Sequence, residues 1–448
     1  MKIVVIGGGE IGKAIAESLC LENHDICIIE EKKEIAKKLN DSLEARVIEG
    51  SGCSPRILKM AGVPEADIIT IVTDSDEDNL CASMLCRYLA PEAKIIARIR
   101  NPELASERDF LMKSGPKLSQ ILNPEILAAK QIFHAIKVPS ALEVSEFENE
   151  KLLMIGIKIP EDTPVTGHTM KELPQILNKR ILFVARYRNG DFIIPKGDSD
   201  IKANDILYFA SKTDDVNIIA TSIGLKWTEI KDAVIFGGSI TGIHLASLLV
   251  KSGISVKLVE KDHQVASTVT ELLPQVLVLE WEPTDTALWK EENLGSCDVL
   301  VAASKEEDLN LMVALMGKNM GIKHTVVVTY KSDFIPVLLA SGITTVVSPR
   351  IAAIGSVLKY LRKGKILQVA PTEHQDGQML EYEIKSGDTI EGKKIRDIPF
   401  PKRAIIAAII RHGEVIIPTG TTEITSGDRI LVFARNKALP DLEKLMQG

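Results

Sequence analysis

The sequence predicts an α/β protein built on doubly wound parallel sheets, with that architecture made twice in one chain. Three observations predict it. The chain opens with Lys2–Gly12, KIVVIGGGEIG, a short apolar strand running into a glycine-rich turn and a helix. Strand and helix patterns then alternate as far as Arg98, and such alternation implies right-handed crossovers and a parallel sheet. Finally, the whole pattern returns in the second half, each copy followed by a small, β-rich α+β domain.

In order, Ile3–Ile6 reads as a buried strand, and Gly7, Gly9 and Gly12 form a G-x-G-x-x-G turn. Gly7 makes the tight turn, Gly9 lets the backbone approach a pyrophosphate, and Gly12 lets the helix sit close on the sheet with its amide end toward the anion. A second strand, Ile26–Ile29, ends on Glu30, roughly 20 residues past the last glycine, where a ribose-binding acid belongs. Lys33–Ser42 is helical. Arg46–Ile48 is a strand leading to Gly50-Ser51-Gly52, and Ser54-Pro55 starts a helix that Gly62 stops. Ile68–Val72 is an apolar strand ending in Thr73-Asp74-Ser75-Asp76-Glu77-Asp78-Asn79. Leu80–Leu89 is helical, and Lys94–Ile99 is a fifth strand with Arg98 and Arg100 near its end. Asn123-Pro124 opens a helix, Glu125–Ile136, whose apolar face suits core packing or a dimer contact. Ligands on doubly wound sheets sit at the carboxyl ends of the strands, and Gly7–Gly12, Glu30, Gly50–Gly52, Thr73-Asp74 and Arg98 all fall there.

The character changes near Ser140. Leu152–Ile159, Ile181–Tyr187, Phe192–Pro195 and Asp205–Ala210 read as strands, with Arg188-Asn189-Gly190-Asp191 as a hairpin turn. The chain then repeats. Gly237-Gly238-Ser239-Ile240-Thr241-Gly242 follows strand Ala233–Phe236, and Ser255–Val259 ends on Glu260. The interval from Gly7 to Gly237 equals that from Glu30 to Glu260. Asn79 matches Asn310, Asn123-Pro124 matches Ser348-Pro349, RNGDFIIPKG matches RHGEVIIPTG, and NDILYFA matches DRILVFA. The resulting boundaries are 1–137 and 229–362 for the Rossmann-like domains, and 140–222 and 365–448 for the β-rich domains.

Composition narrows the function classes. A chain of 448 residues corresponds to roughly three or four domains. A formal charge of −7 and a pI near 5.8 argue against a large nucleic-acid footprint. No run reaches the roughly 18 apolar residues of a membrane span, and the opening reads as a core strand rather than a signal peptide, so a soluble, cytoplasmic protein is expected. The six cysteines form no C-x-x-C pair and read as reduced thiols without a metal. No H-E-x-x-H, G-x-S-x-G or P-loop pattern occurs, which leaves a nucleotide reader without visible catalytic machinery.

In the first copy, Glu30 is suited to ribose hydroxyls and repels a 2′-phosphate, favouring NAD(H), ATP or ADP. Arg98 is either a phosphate contact or an edge-of-sheet ion pair. Thr73 and Asp74 lie at the mouth, where Asp74 also suits a helix N-cap. The second copy is worn. Ser239 stands for Gly9 and would crowd a pyrophosphate; Glu282-Pro283-Thr284 stands for Gly50-Ser51-Gly52; the counterpart of Arg98 falls near Thr329-Tyr330, without an arginine. Glu260 remains, and whether this second turn binds a nucleotide stays open.

VIGGGEIG with Glu30, the segment EGSGCSPRILKMAGVPEADIITIVTDSDEDN, and the repeated IIP-x-G and ND-IL-FA patterns resemble the TrkA family, cytosolic subunits of Trk potassium uptake systems. Each half is similar to an RCK (KTN) nucleotide-binding domain followed by a TrkA-C domain. The resemblance implies a non-enzymatic regulatory subunit that binds NAD or NADH, ATP and ADP and gates a TrkH-like membrane potassium pore. It implies a ring of four chains, held at the cytoplasmic face of the membrane through that partner, with no nucleic acid involved. It implies crossing helices at Asn123–Ile136 and Pro349–Leu361. The nucleotide contacts expected are Gly7, Gly8, Gly9, Glu10, Ile11, Gly12, Glu30, Thr73, Asp74 and Arg98, with Ser51 where relatives often carry an aspartate, and Glu260 in the second copy. An NAD-dependent oxidoreductase and an NADH-sensing regulator are the other classes left open.

Overall fold

The computed structural model describes residues 1–20, 24–138, 141–148, 151–177, 181–225, 230–361, 366–372 and 377–447. The expected domain limits at 140, 229, 362, 365 and 448 lie outside the described residues.

The apolar run at the start becomes β1 (Lys2–Ile6), with Ile3, Val4, Val5 and Ile6 essentially inaccessible. Burial on both faces is what a central parallel strand requires. From β1 the chain enters α1 (Glu10–Cys20), then β2 (Asp25–Glu30), α2 (Lys33–Ser42), β3 (Arg46–Glu49), α3 (Pro55–Met60), β4 (Ile68–Ile71), α4 (Asp76–Leu89) and β5 (Lys94–Arg98). A short α5 (Pro102–Ser106) precedes β6 (Gln120–Leu122), a sixth strand whose three residues carry too little pattern to be read in advance. The order is β3-β2-β1-β4-β5-β6, all parallel. It reverses direction between β1 and β4, and a cleft opens there at the carboxyl ends. Next comes α6 (Pro124–Lys137).

The first β-rich region forms an antiparallel sheet: β7 (Ala141–Phe147), β8 (Leu152–Lys158), β9 (Phe183–Arg188), β10 (Asp191–Ile193) and β11 (Ile206–Lys212), ordered β10-β9-β11-β8-β7. Helices α7 (Leu173–Ile176) and α8 (Val216–Ile223) accompany it. The second half repeats both parts. Its parallel sheet contains β12 (Asp232–Phe236), β13 (Ser255–Glu260), β14 (Leu277–Glu280), β15 (Val299–Ala302), β16 (His324–Val328) and β17 (Thr345–Val347), ordered β14-β13-β12-β15-β16-β17. Helices α9 (Ile240–Lys251), α10 (His263–Leu272), α11 (Thr286–Glu291), α12 (Glu307–Asn319), α13 (Ile335–Ala340) and α14 (Pro349–Leu361) connect and follow these strands. The last sheet is β18 (Ile366–Pro371), β19 (Gly377–Glu383), β20 (Ala404–Arg411), β21 (Glu414–Ile416) and β22 (Arg429–Arg435), closed by α15 (Leu439–Gln447).

The repeated signature of the β-rich domains has a structural cause. Arg188 and Arg411 each grip a fully buried aspartate bidentately. Arg188 Nε and Nη2 lie 2.5 and 2.6 Å from Asp205, and Arg411 Nε and Nη2 lie 2.8 Å from Asp428. Each aspartate also accepts a backbone N–H, from Lys202 or Thr425. Charge-assisted, bidentate geometry of this kind compensates the buried carboxylate.

The two compact units do not follow the halves of the sequence. One combines β1–β6 and their helices with α14; the other holds α6, the second parallel sheet and both antiparallel sheets. In the first, the Tyr360 hydroxyl of α14 donates to the Ser119 carbonyl at 2.7 Å. In the second, Ala128, Ala129, Ile132, Phe133 and Ile136 of α6 enter the core beside Leu245, Leu249 and Val326. The apolar face of α6 is thus spent in the Rossmann-like domain of the opposite half, and α14 groups with the first. The two antiparallel sheets share an apolar cluster in which Phe192 and Phe433 stack at 5.5 Å.

Candidate functional site

A cavity of about 280 Å³ lies at the carboxyl ends of β1, β2 and β4. Gly7, Gly9, Glu30, Ser51, Thr73 and Asp74 line it, as the sequence reading expects, together with Glu31, Lys32, Cys53 and Asp78.

Gly7 and Gly12 meet the steric demands expected of them. Gly7 has φ +100°, and a Cβ there would lie 2.9 Å from the Val72 carbonyl and the Thr73 nitrogen. A Cβ on Gly12 would lie 1.8 Å from the Gly7 carbonyl oxygen, so α1 packs against the turn at a distance only glycine permits. A Cβ on Gly9 meets nothing within 4 Å; its free face is the open side of the turn. Gly8 supplies an amide that donates to Glu30 Oε2 at 2.6 Å, and Lys32 donates its amide to Oε1 at 2.8 Å. The Glu30 carboxylate is 8% exposed and fixed at both oxygens. Each oxygen keeps a further lone pair, so the group is set to accept hydroxyl donors from the cleft. Ile11 is buried beneath the turn, and Ser51 Oγ accepts from the Cys53 amide at 3.2 Å.

The far wall is organised by a residue the sequence marked only as a repeat landmark. Asn79 is fully buried; its Oδ1 accepts from the Thr73 amide (3.0 Å) and hydroxyl (2.7 Å), and its Nδ2 donates to the Arg98 carbonyl (3.0 Å) and the Thr73 carbonyl (3.3 Å). It ties the ends of β4 and β5 together. Asn310 makes the same set with Ser304 and Val328. The N-cap of α4 is Ser75, whose Oγ accepts from the Asp78 amide, rather than Asp74, which is left exposed. Arg98 is 6% exposed and stands behind Asp74, with Nη1 3.6 Å from Asp74 Oδ1, and does not line the cavity. Glu10 is not among the residues lining the cavity; its Oε2 accepts from Arg350 Nη1 at 3.3 Å.

In the second copy, Glu260 takes the pose of Glu30, accepting the amides of Gly238 (2.6 Å) and Asp262 (2.9 Å). The rest differs. Ser239 Oγ donates to the Ala303 carbonyl at 2.5 Å and accepts from the Gly242 amide at 3.2 Å, occupying the side that Gly9 leaves open. Lys261 and Glu306, the counterparts of the cavity-lining Glu31 and Ser75, form a 2.7 Å ion pair. Strand register corrects two sequence pairings by one position. Glu49 and Glu280 occupy equivalent places, so Trp281, Glu282 and Pro283 replace Gly50, Ser51 and Gly52. Likewise Val328, not Thr329 or Tyr330, replaces Arg98. Both slips come from reading single residues across a loop whose length differs between the copies.

Among the described residues no group of three or more His, Cys, Asp or Glu side chains is arranged to hold a metal, and no helix is long and apolar enough to cross a membrane. Sequence reasoning missed Lys32, Asp78 and Arg350. The signal for the last was visible: Arg350 follows Ser348-Pro349 just as Glu125 follows Asn123-Pro124, a charge reversal at matched positions.

A doubly wound sheet with a glycine turn, an oriented acid and an appended antiparallel domain, all duplicated, defines a tandem RCK-type nucleotide-fold protein. The TrkA-N domain family matches residues 3–115 and 233–349, and the TrkA-C domain family matches residues 154–223 and 379–447. The chain is 32% identical over 454 residues to Trk system potassium uptake protein TrkA homolog 2 of Methanosarcina mazei, covering 100% of both chains. It is 30% identical over 453 residues to Trk system potassium uptake protein TrkA of Vibrio alginolyticus, covering 100% of this chain and 99% of that one. The chain belongs to the TrkA family. Its fold is similar to the crystal structure of the GsuK RCK domain, with a TM-score of 0.62 at 16% identity over 99% of this chain and 94% of that chain. It is also similar to the GsuK channel bound to NAD, with a TM-score of 0.61 at 16% identity over 99% and 78%.

Proposed function

We propose that this chain is the cytoplasmic regulatory subunit of a Trk-type potassium uptake system, that it binds one NAD(H), ADP or ATP per chain in the first cleft, and that occupancy gates a TrkH-like membrane pore. The observation that carries this reading is the contrast between the two turns. Gly9 faces open space beside a Glu30 fixed by two amides, whereas in the second copy Ser239 carries a hydroxyl bonded to the Ala303 carbonyl and a Lys261–Glu306 ion pair stands at the matched positions. The relatives' shared name, potassium uptake protein, supports the transport context. The NAD-bound neighbour supports the ligand class.

The role is regulatory rather than enzymatic and works by linkage. A nucleotide shifts a conformational equilibrium only by its difference in affinity between the states. In a ring of four chains, ATP favours the conducting state and ADP or NAD(H) the resting one. Isothermal titration of the purified chain with ATP, ADP, NADH and NAD, on wild type and on Gly9→Asp, tests the binding. One site per chain, lost in the variant, is expected. A site that survives the substitution would place binding in the second half and defeat the reading.

A further inference from the structure

The first cleft presents a charge problem. Glu30, Glu31, Asp74 and Asp78 line it, and Lys32 is the one basic lining residue among those described. Phosphates at the N-terminus of α1 also meet Glu10 in its first turn, and Arg98 already faces Asp74. A further cation reaches this end from the other half of the sequence. Arg350, in the first turn of α14, lies with Nη2 2.8 Å from Glu17 Oε2 and Nη1 3.3 Å from Glu10 Oε2. Its side chain is 11% exposed, and its Nε is buried with no hydrogen-bond partner among the described residues.

We propose that Arg350 is the phosphate-serving cation of the first nucleotide site, a deepening that rests on reading that cleft as a nucleotide site. With the site empty, Arg350 neutralises Glu10. With a nucleotide bound, it exchanges its longer bond to Glu10 for a phosphate oxygen while keeping the shorter one to Glu17. The second copy supplies the internal comparison. There the matched helix α6 brings Glu125 to the second glycine helix, where the Glu125 carbonyl accepts from Thr241 Oγ1 at 3.4 Å. The helix of the open turn therefore has an arginine side chain beside it, whereas the contact at the second turn is made by the Glu125 backbone carbonyl. The arginine favours an anionic ligand at the first turn, and the matched position of the second copy carries no cation.

Isothermal titration with AMP, ADP and ATP tests this on wild type, Arg350→Gln, Glu10→Gln and the double variant, each checked for folding by a thermal melt. A hydrogen bond to a charged group contributes about 1.5–3 kcal/mol. Arg350→Gln should therefore weaken ATP by about tenfold or more, ADP less and AMP least. Glu10→Gln should tighten ATP more than AMP, and adding it to Arg350→Gln should restore part of the loss. An equal loss for all three nucleotides, or none, while wild type binds, makes Arg350 a structural strut and overturns the proposal alone. Should Arg350→Gln fail to fold, Glu10→Gln decides: equal effects on ATP and AMP overturn it. Wild type binding none of the three removes the nucleotide reading itself, and this proposal with it.

Discussion

Gly9→Ala and Gly12→Ala place the same methyl group at two points of one turn and should fail in different ways. At Gly9 the new Cβ meets nothing within 4 Å, and the residue is not among those with positive φ. The folded state has room for the methyl and the unfolded chain loses freedom, so stability should stay within about 1 kcal/mol of wild type or rise slightly. On the proposed nucleotide reading, the same methyl projects into the space through which a pyrophosphate would approach the turn. Losing even one amide bond to a charged group costs about 1.5–3 kcal/mol, or roughly 10- to 100-fold in affinity. At Gly12 the Cβ lands 1.8 Å from the Gly7 carbonyl oxygen and 3.0 Å from its carbon. Backbone must move there, so a loss of at least about 3 kcal/mol is expected. Urea denaturation gives the stabilities, and titration with NADH gives the affinities. A Gly9→Ala protein that binds NADH like wild type, or that melts with the Gly12→Ala protein, refutes the division of labour assigned to the two glycines.

Three further outcomes follow from particular contacts. Asn79→Ala leaves the Thr73 amide and the Arg98 carbonyl without their side-chain partner and should cost about 2–4 kcal/mol in urea denaturation; a change under about 1 kcal/mol argues against the bracket. Burial pushes the Asp428 carboxyl up, but the Arg411 guanidinium and the Thr425 amide outweigh it and hold the group below its ordinary value. A depressed folded value means stability present above the unfolded value of about 3.9 and lost as pH falls through the folded one. The urea midpoint of wild type should therefore drop below about pH 4, while Asp428→Asn, already about 3 kcal/mol weaker at pH 7, loses less on acidification; parallel curves refute the assignment. Finally, burial and a thiol hydrogen bond with Cys81 push the Cys53 thiol up to about 12, and burial does the same to Cys86, whereas Cys81 is exposed. Iodoacetamide at pH 8 should alkylate Cys81 first, and peptide mass spectra showing early modification of Cys86 would contradict its placement.

The fold was legible because its signals are local and repeated. The apolar runs of β1, β2 and β4 are buried on both faces, with Thr70 the one polar residue inside them, and the glycines mark the turns. β6 escaped because three residues show no period, and β7 because its alternation is broken by a bulge between Ala141 and Glu143. The steric roles of Gly7 and Gly12 and the places of Gly9 and Glu30 on the cleft wall were readable since each follows from backbone geometry at one position. Arg98 was placed at the correct strand end, but its facing Asp74 from behind the cavity depends on side-chain packing that spacing does not encode. Arg350 lies farther still from local reasoning. Its contact with Glu10 exists only because α14 crosses to the other half's domain, a tertiary event that a helix pattern alone does not announce.

The wear in the second turn separates what the fold needs from what a ligand needs. Gly237 keeps φ +107°, and a Cβ there would lie 2.6 Å from the backbone of Ser304. Gly242 keeps the close approach, its Cβ position 2.1 Å from the Gly237 carbonyl oxygen. These two restraints act in every folded molecule, occupied or not, and both glycines are retained. The glycine of the first turn that meets no steric restraint is Gly9, and its counterpart alone has become something else, Ser239. Its hydroxyl also supplies the helix with a cap, which a glycine cannot do. Glu260 persists for the same kind of reason: its two amide bonds brace the turn with or without a ribose. A retained glutamate at the end of the second strand is therefore weak evidence for binding in this fold. An open third position beside it is the stronger sign, and only the first half has it.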